Sequence, residues 1–378
     1  MNIGLDARTL TDKKTGMGYY LESVLNNILT MDKENNYFLF SDREIVFSKV
    51  QNFTNLHIVE YNDGIVLKKS FFYAYKLKSV IKNKNIKLDV FWGTQHVLPL
   101  NLSKDIKKIV TMHDVVAYIM PETMTKYNYI INKLLIPKSL LVSDKIISIS
   151  QSTDAGIKKY LSKYTKNSEM KVVYSGADTK KFTEEEEIKF FEKYKDYGFI
   201  KENKYLLFVG TLEPRKNVKT LIKAFKIIKK ETDLKIILCG KKGWKYQEVD
   251  EMIQNPKFKD CIINFDYVTN DEKLLLMKNC FAFVFPSLYE GFGLPVVEAM
   301  KMGALSIVSN NSSLKELVEK DELRFETLEY KELASKIIDL YDNNKVYQEL
   351  KEYCKERAEA FDWKETAKFY LEQFNSLK

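Results

Sequence analysis

The chain has 378 residues, of which 45% are hydrophobic and 30% charged, and a formal net charge of +8. This length exceeds one ordinary core and predicts two domains. No apolar run approaches the roughly 18 residues that a membrane-spanning helix needs, and the opening "MNIGLDAR" has no secretory pattern. We therefore expect a cytoplasmic protein whose four cysteines, which are far apart and form no CxxC, are reduced.

The charge is unevenly distributed. Residues 1–181 contain 27 basic and 17 acidic side chains, which gives +10, whereas residues 182–378 carry −2. A lysine-rich, solvated surface explains part of the excess but not its restriction to one half. The N-terminal half is therefore expected to meet an anionic partner.

Short apolar runs along the first half predict strands, and longer amphipathic stretches predict helices. The predicted strands are "NIGLDA", "YFLFS", "HIVEY", "LDVFWG", "KKIVTMHD" and "KIISIS", and the helices are "YYLESVLNNILTM" and "FFYAYKLKSVIKNKN".

The second half repeats the alternation. Its strands are "YLLFVG", "KIILCG", "IINFDYV", "CFAFVFPS" and "ALSIVSN", and "VKTLIKAFKIIKK" is its clearest helix. Alternation of this kind predicts an α/β protein with two Rossmann-like, doubly wound parallel-sheet domains that face a central cleft. The predicted limits are 1–181 for the N-terminal domain, 182–198 for a linker and 199–362 for the C-terminal domain, with a C-terminal helix, 363–378, packing back onto the first domain.

Ligands of doubly wound sheets bind at the carboxyl ends of the strands, so the residues that follow each strand are the candidate site residues. After the first strand, Gly16 and Gly18 precede a helix, which suits the close approach of a phosphate or sugar to backbone amides. The dinucleotide fingerprint is incomplete, because Leu21 stands at the third glycine position. A simple tight turn remains an equal alternative for this loop.

Histidine is scarce, with three in the chain. His113 comes at the end of a run of strand-forming residues and beside Asp114, which makes it a candidate site residue. His57 lies inside a predicted strand and is interpreted as structural. His96 follows "FWGTQ" and is a second residue that could face the cleft.

A pair of cations follows the first strand of the second half. In "LFVGTLEPRKN", Gly210 ends the strand, and Arg215 and Lys216 come just before a helix. Arginine offers a bidentate fork and lysine a mobile point charge, which together suit a diphosphate. The alternative is two solvated cations before an exposed helix.

Two glutamates flank a glycine-rich loop in "FPSLYEGFGLPVVEAMKMG". Pro295 suits the first turn of a helix that Gly303 ends, and Glu298 is placed in the first turn of that helix. Glu290 lies in the preceding loop. Carboxylates repel phosphate, so these two side chains are expected to accept hydrogen bonds from hydroxyls, one on a sugar and one on a ribose, as a nucleotide sugar would present them.

Together, "IGLDAR…TGMGYYL", "GTLEPRKN" and "SLYEGFGLPVVEAM" resemble the retaining glycosyltransferases of the GT-B fold, glycosyltransferase family 4. Within it, the sequence is similar to the bacterial mannosyltransferase-like branch of surface-polysaccharide synthesis. The resemblance covers nearly the whole chain. One departure is Thr211, which stands where many members of the family carry arginine. The resemblance then implies that Arg215 takes the role of that arginine.

The resemblance implies roles for these residues. His113, Glu290, Arg215 and Lys216 would be the catalytic group, with Glu290 on the donor sugar and the two cations on the diphosphate. The residues assigned to binding of the donor are Gly16, Gly18, Gly210, Gly291, Phe292, Gly293, Leu294 and Glu298, of which Glu298 would contact the ribose and Gly16 and Gly18 would line the cleft on the acceptor side.

The implied reaction moves a hexose from a nucleoside diphosphate sugar to a hydroxyl of a glycan, or of a lipid-linked glycan, with retention at the anomeric carbon. The resemblance implies no metal and no cofactor, and the sequence has no Asp-x-Asp. Three alternatives are a dehydrogenase, whose third glycine is missing from this sequence, a sugar-nucleotide epimerase of the same fold, and a non-catalytic sugar-nucleotide-binding protein.

The anionic partner predicted for the N-terminal half is a membrane surface. "LKKSFFYAYKLKSVIKNKNIK" interleaves lysines with apolar residues, which indicates peripheral binding at the inner face of the cell membrane. Its lysines are Lys68, Lys69, Lys76, Lys78, Lys82, Lys84 and Lys87, and its apolar residues are Phe71, Phe72, Tyr73, Tyr75, Leu77, Val80 and Ile81. No recognition motif supports nucleic acid. The alternative is a helix that packs on the core and exposes its lysines.

Overall fold

The structure is a computed structural model, and it describes residues 1–12, 14–48, 53–61, 69–258 and 260–378, without the side chains of 69–72. The chain forms two compact units. Unit 1 comprises Met1–Gly176 and Asp362–Lys378, and unit 2 comprises Ala177–Phe361. Each unit is a Rossmann-like α/β domain on a parallel sheet, as predicted from the alternation of strands and helices.

In the described residues, unit 1 has a seven-stranded sheet of order β3-β2-β1-β4-β5-β6-β7 with parallel pairing. The strands are β1 (Asn2–Asp6), β2 (Asn36–Ser41), β3 (Leu56–Glu60), β4 (Val90–Gly93), β5 (Lys107–Met112), β6 (Lys145–Ser148) and β7 (Glu169–Val172). The helices before residue 176 are α1 (Gly16–Met31), α2 (Lys69–Asn83), α3 (Val116–Ile119), α4 (Lys126–Val142) and α5 (Gln151–Leu161). All four residues of β4 are buried, as expected where helices cover both faces of a parallel sheet.

Helix α2 corrects part of the membrane prediction. Tyr73 and Leu77 are fully buried and Ile81 is nearly so, because these residues form the face that packs on unit 1. They cannot enter a bilayer from this position. The outer face of α2 does expose lysines, so the alternative, a helix that packs on the core, holds for its described apolar residues apart from the exposed Tyr75 and the half-buried Val80. Lys68 and the side chains of 69–72 lie outside the described residues.

In the described residues, unit 2 has a six-stranded parallel sheet of order β10-β9-β8-β11-β12-β13. The strands are β8 (Tyr205–Val209), β9 (Lys235–Cys239), β10 (Ile262–Phe265), β11 (Ala282–Phe285), β12 (Ser306–Ser309) and β13 (Arg324–Phe325). The helices are α6 (Glu184–Lys193), α7 (Gly198–Lys201), α8 (Val218–Glu231), α9 (Gln247–Ile253), α10 (Asn270–Asn279), α11 (Leu294–Lys301), α12 (Leu314–Leu317), α13 (Tyr330–Asp342) and α14 (Asn344–Ala358). The segment 182–198, predicted as a linker, lies inside unit 2 and contains α6.

The strand order positions the candidate site. In unit 2 the chain builds outwards from β8 to one side through β9 and β10, and to the other through β11, β12 and β13. The loops after β8 and β11 therefore leave adjacent strands in opposite directions and create a crevice at the carboxyl end of the sheet. Unit 1 has the same reversal between β1 and β4.

The last helix, α15 (Trp363–Asn375), belongs to unit 1 although it follows unit 2 in the chain. The hydroxyl of Tyr370 lies 2.9 Å from the hydroxyl of Tyr20 in α1 and 2.7 Å from Oγ1 of Thr111 in β5. Its ring lies 4.3 Å from the ring of Trp92, centroid to centroid. Helix α15 is thus bonded into the core of unit 1 through buried hydroxyl groups.

We expect Tyr370→Phe to lower the free energy of unfolding of unit 1 by about 1–3 kcal/mol, because Tyr20 and Thr111 each lose a buried hydrogen bond. The measurement is urea denaturation followed by tryptophan fluorescence, which reports on unit 1 through Trp92 and Trp363. Tyr267→Phe, at a residue that is 77% exposed, is the matched control. Equal midpoints for the two variants would show that the hydroxyl contributes nothing.

Candidate active site

A buried carboxylate lies at the crevice of unit 2. One oxygen of Glu290, Oε1, is 2.7 Å from Nζ of Lys216, and the other, Oε2, is 2.9 Å from Nη1 of Arg215. The side chain of Glu290 is 9% exposed and that of Lys216 is 12% exposed. We call these three residues the Glu290 ion triad, and it joins the loop after β8 to the loop after β11.

The charges in the Glu290 ion triad stabilise each other. Burial alone would raise the pKa of Glu290, but the nearby charges of Lys216 and Arg215 outweigh it and lower the pKa to about 2. Burial lowers the pKa of Lys216 and Glu290 opposes that change. Lys216 also lies 4.8 Å from the ring centroid of Phe285, a favourable cation–π distance. Because its pKa is about 2, Glu290 is ionised at neutral pH.

Arg215 is fixed by further bonds. Its Nη2 donates to Oε1 of Glu213 at 2.9 Å, and its Nη1 also donates to the carbonyl of Tyr289 at 2.9 Å. In return, the amide of Leu288 donates to the carbonyl of Arg215 at 2.8 Å. The short 3₁₀ turn that carries the two cations, Pro214–Lys216, is therefore bonded directly to the loop after β11. This fit excludes the alternative of two freely solvated cations.

Residues that the sequence analysis did not select hold these loops in place. Asn217, which adopts a left-handed conformation with φ of 52°, donates from Nδ2 to the carbonyls of Pro286 and Thr327 at 3.0 and 3.1 Å. Oγ of Ser313 lies 2.6 Å from the carbonyl oxygen of Phe292 and 3.0 Å from that of Glu290, so its one hydrogen is shared between them or donated to either.

The backbone amide of Glu290 is bound as well, because it donates to Oγ of Ser312 at 3.0 Å. Ser312 and Ser313 belong to "NNSS", which follows β12 at the carboxyl end of the sheet. The rule that ligand-site residues follow strands would have found this segment. Its serines reach the loop of Glu290 because β12 lies directly beside β11 in the sheet.

The glycine-rich loop leads into α11. Gly293 has φ of +106°, a backbone conformation that side chains rarely adopt, so the position favours glycine. A Cβ there would also lie 2.9 Å from Cδ2 of Leu314, which would have to shift. Phe292 is buried, and its ring packs edge-on against Phe361 at 5.9 Å, which makes its side chain part of the core. Leu294 is the first residue of α11.

Glu298 does not join the Glu290 ion triad. It lies in the second turn of α11, not in the first as predicted, because the helix begins at Leu294. Its Oε1 is 2.8 Å from Nζ of Lys273 in α10. Gly210 follows β8 directly and donates its amide to the carbonyl of Cys239 at 2.9 Å. The predicted donor residues of unit 2 thus cluster after β8 and β11, with Glu298 held separately by a lysine.

The other predicted residues lie in unit 1, at the carboxyl end of its own sheet. His113 follows β5 and is buried, with Nε2 2.8 Å from the carbonyl of Thr94. Because a carbonyl can only accept, Nε2 carries the proton. Burial and the neighbouring His96 lower the pKa of His113 to about 4. The imidazole is therefore neutral at pH 7, and the edge-on ring of Tyr20 packs against it at 4.9 Å.

The two glycines of the loop before α1, Gly16 and Gly18, have different surroundings. Gly18 is required by packing, since a Cβ there would lie 2.5 Å from the carbonyl of Thr9 in the loop after β1. Gly16 begins α1 and has no heavy atom within 4 Å of the Cβ position among the described residues.

The other two histidines have structural partners. The ring of His57 stacks on the ring of Phe38, with 4.7 Å between the centroids. His96, with φ of 61°, accepts a hydrogen bond at Nε2 from the amide of Asp114 at 3.3 Å.

Comparison with known proteins gives a family match that lies within unit 2. Residues 189–359 match the family Glycosyl transferases group 1. The chain is 37% identical over 116 residues to the O-antigen chain mannosyltransferase B of Escherichia coli, an alignment that covers 30% of each chain. It is 28% identical over 243 residues to the O-antigen chain mannosyltransferase RfbU of Salmonella typhimurium, which covers 64% of this chain and 61% of the relative. The chain thus spans less than two thirds of these relatives.

Solved structures share the whole fold. Sucrose-phosphate synthase from Thermosynechococcus elongatus superposes with a TM-score of 0.77 at 15% identity, covering 100% of this chain and 98% of the other. HepE from Anabaena, in complex with UDP and glucose, superposes with a TM-score of 0.76 at 16% identity, covering 99% of both chains. At these identities the likeness shows the fold alone.

The lowered pKa of Glu290 predicts a pH-dependent stability of unit 2. A carboxylate with a folded pKa of about 2 and an ordinary value of 4.5 stabilises the fold above pH 4.5, and this contribution is lost as the pH falls through about 2. Between about pH 5 and about pH 2 we expect this group to account for a loss of about 3 kcal/mol in the free energy of unfolding.

The measurement is the free energy of unfolding as a function of pH for the wild type and Glu290→Gln, with the exposed Glu349→Gln as control. The part of the pH dependence of the unfolding free energy that Glu290 causes should be absent from Glu290→Gln and present in the Glu349→Gln control. Identical slopes for the wild type and Glu290→Gln would contradict the assignment of the lowered pKa.

Proposed function

Because residues 189–359 match the Glycosyl transferases group 1 family, we propose that the chain is a glycosyltransferase that moves a hexose from a nucleoside diphosphate sugar to a hydroxyl of a growing surface glycan. The observation that carries this proposal is the Glu290 ion triad, which holds two cations and a carboxylate at the crevice of a doubly wound sheet. The relatives named as O-antigen chain mannosyltransferases support a mannose-type donor sugar. They do not favour the epimerase or the non-catalytic binding protein.

Unit 2 binds the donor in this proposal. Arg215 and Lys216 contact the diphosphate, whose charge grows as the bond to the sugar breaks, so their interaction strengthens towards the transition state. Glu290 pairs with both cations and orients them, and it accepts hydrogen bonds from the hydroxyls of the sugar. Glu298 accepts from the ribose.

The reaction retains the anomeric configuration. The bond between the anomeric carbon and the diphosphate oxygen breaks, and the oxygen of the acceptor hydroxyl forms its bond to that carbon on the same face. The proton of the acceptor passes to an oxygen of the leaving diphosphate. The proposal needs no metal and no cofactor, since Arg215 and Lys216 supply the positive charge that opposes the leaving group.

The acceptor is a glycan, carried on a lipid, and the chain acts at the cytoplasmic face of a membrane. The proposal is supported by the excess of positive charge in residues 1–181 and by the exposed lysines of α2. His113 contributes to this reaction as a neutral imidazole, in agreement with its lowered pKa. The glycine loop with Gly16 and Gly18 serves the acceptor.

The test of the proposed function is a thermal-shift panel of UDP, GDP, ADP, CDP and dTDP, followed by transfer assays with the corresponding mannose and glucose donors. A ligand at a hundredfold its dissociation constant stabilises the folded protein by about 2.7 kcal/mol, which such a panel detects readily. No stabilisation by any of the five nucleotides would overturn the proposal.

Arg215→Gln and Lys216→Gln are each expected to lower kcat/KM for the donor by about a hundredfold or more, because each removes a charge-assisted bond to the leaving diphosphate. The matched control is Lys219→Gln, three residues further along, where the lysine pairs with Glu248 at the surface of α8. Initial-rate assays measure the effect. A change within twofold for both variants would remove the two cations from the reaction.

Glu298→Gln is expected to weaken nucleotide binding by about tenfold while kcat changes little, because a ribose contact is the same in the ground state and the transition state. Lys273→Gln is the companion variant, since Lys273 holds Glu298 at 2.8 Å. Calorimetric titration with the bound nucleoside diphosphate separates binding from turnover. Unchanged affinity together with reduced kcat would reverse the assignment of the two glutamates.

A further inference from the structure

Helix α4 of unit 1 has an unusual outer surface. Five residues at spacings of three and four, Tyr127, Ile130, Leu134, Lys138 and Leu141, form its exposed side, which we call the α4 stripe. The exposed fractions of its apolar members are 44%, 53%, 47% and 53% for Tyr127, Ile130, Leu134 and Leu141. The outward side of a surface helix is normally polar, because that side meets water.

The opposite side of α4 is apolar too and packs on unit 1. Ile131, Leu135, Ile136 and Leu140 are buried there. The hydrophobicity of the α4 stripe is therefore additional to what the fold needs. Four large apolar side chains exposed on one side of a helix mark a place where another molecule or a bilayer covers the protein.

The charges around the α4 stripe favour an anionic partner. Residues 123–143 contain three lysines and no acidic residue, and residues 69–88 contain six lysines and no acidic residue. The two segments meet where Nζ of Lys138 donates to the hydroxyl of Tyr75 in α2 at 3.2 Å. The exposed lysines of α2, among them Lys76, Lys78 and Lys82, thus continue the basic surface that flanks the stripe.

We propose that the α4 stripe inserts into the interfacial layer of an anionic bilayer, with α4 lying in the plane of the membrane. A row of large apolar side chains flanked by lysines is the arrangement that buries carbon in the acyl boundary and leaves ammonium groups at the phosphates. Among the residues that the structure describes, no helix is long and apolar enough to cross a membrane. The α4 stripe offers one helical face, which suits insertion along the surface.

This inference deepens the proposed function, because a chain held on the bilayer by α4 meets an acceptor that is anchored there by a lipid. The apolar residues that contact the membrane are then those of the α4 stripe, in place of the buried residues of α2 that the sequence predicted. The lysines of α2 still attract the protein to the anionic surface. Each lysine near an anionic leaflet adds about a fivefold factor in binding.

The test is sedimentation of the full chain with vesicles of phosphatidylcholine alone and of phosphatidylcholine mixed with phosphatidylglycerol, at low and high salt. The double variant Ile130→Gln, Leu134→Gln is expected to bind the mixed vesicles at least about tenfold more weakly at both salt concentrations. The matched control combines Ile188→Gln with Leu328→Gln, at residues of unit 2 that are 50% and 66% exposed. It should bind like the wild type.

A second measurement distinguishes insertion from adsorption by charge. Tryptophan fluorescence of Ile130→Trp should shift to the blue on mixed vesicles and be quenched by brominated lipid, whereas Ile188→Trp should not respond. Replacing Lys76, Lys78, Lys82 and Lys84 with glutamine should remove the preference for anionic vesicles at low salt. Equal vesicle binding by the wild type and the α4 double variant would overturn the proposal.

The outcomes separate this inference from the proposed function. Stabilisation by nucleoside diphosphates in buffer should be the same for the wild type and the α4 double variant. If no nucleotide binds while insertion depends on the α4 stripe, the proposed function fails and this inference stands. If the chain binds no vesicle but forms a dimer in light scattering that the double variant abolishes, the α4 stripe is an interface with a second copy and the inference is wrong.

Discussion

The carboxylate of Glu290 is the group on which the crevice of unit 2 depends. Removing an unpaired ammonium or guanidinium from water costs several kcal/mol, and the carboxylate of Glu290 offsets this cost for Lys216 and, together with Glu213, for Arg215. The same contact joins the loops after β8 and β11, which the reversal of strand order has brought together. The serines after β12 then fix the backbone of Glu290 itself. Charge, loop geometry and strand order therefore support one another.

Most of the fold could be predicted because most of its strands read as short apolar runs, and the central ones, such as β4 and β11, are buried on both faces. β7 and β13 escaped prediction for physical reasons. β7 lies at the edge of its sheet and alternates exposed with half-buried residues, so its sequence carries no apolar run. β13 has two residues. The boundary near residue 176 was also beyond the sequence pattern, because the acidic segment after Thr183 resembles a linker and yet forms a capped helix in unit 2.

For the candidate site, the sequence named the charged residues but not their partners. Arg215, Lys216 and Glu290 were selected separately, and nothing in their spacing predicts that one carboxylate binds both cations. The segment of Ser313 follows a strand and could have been found by that rule, but a hydroxyl that bonds to backbone carbonyl groups leaves no motif that singles out this serine. The part of the membrane prediction that placed the apolar residues of α2 at the bilayer was wrong for a related reason: periodicity shows that α2 is amphipathic, but packing decides which apolar residues of unit 1 face outward. Tyr73 is buried and Ile130 is exposed.

The interrupted path of the chain through unit 1 has a consequence for synthesis on the ribosome. Unit 2 is continuous from Ala177 to Phe361, whereas the hydroxyl partner of Tyr20 and Thr111 arrives with α15, after all of unit 2 has been translated. Domains generally fold as units in the order of synthesis, but here the domain that begins first is completed last. Nascent unit 1 therefore exposes the core surface under α15, including the ring of Trp92, throughout translation of the other domain.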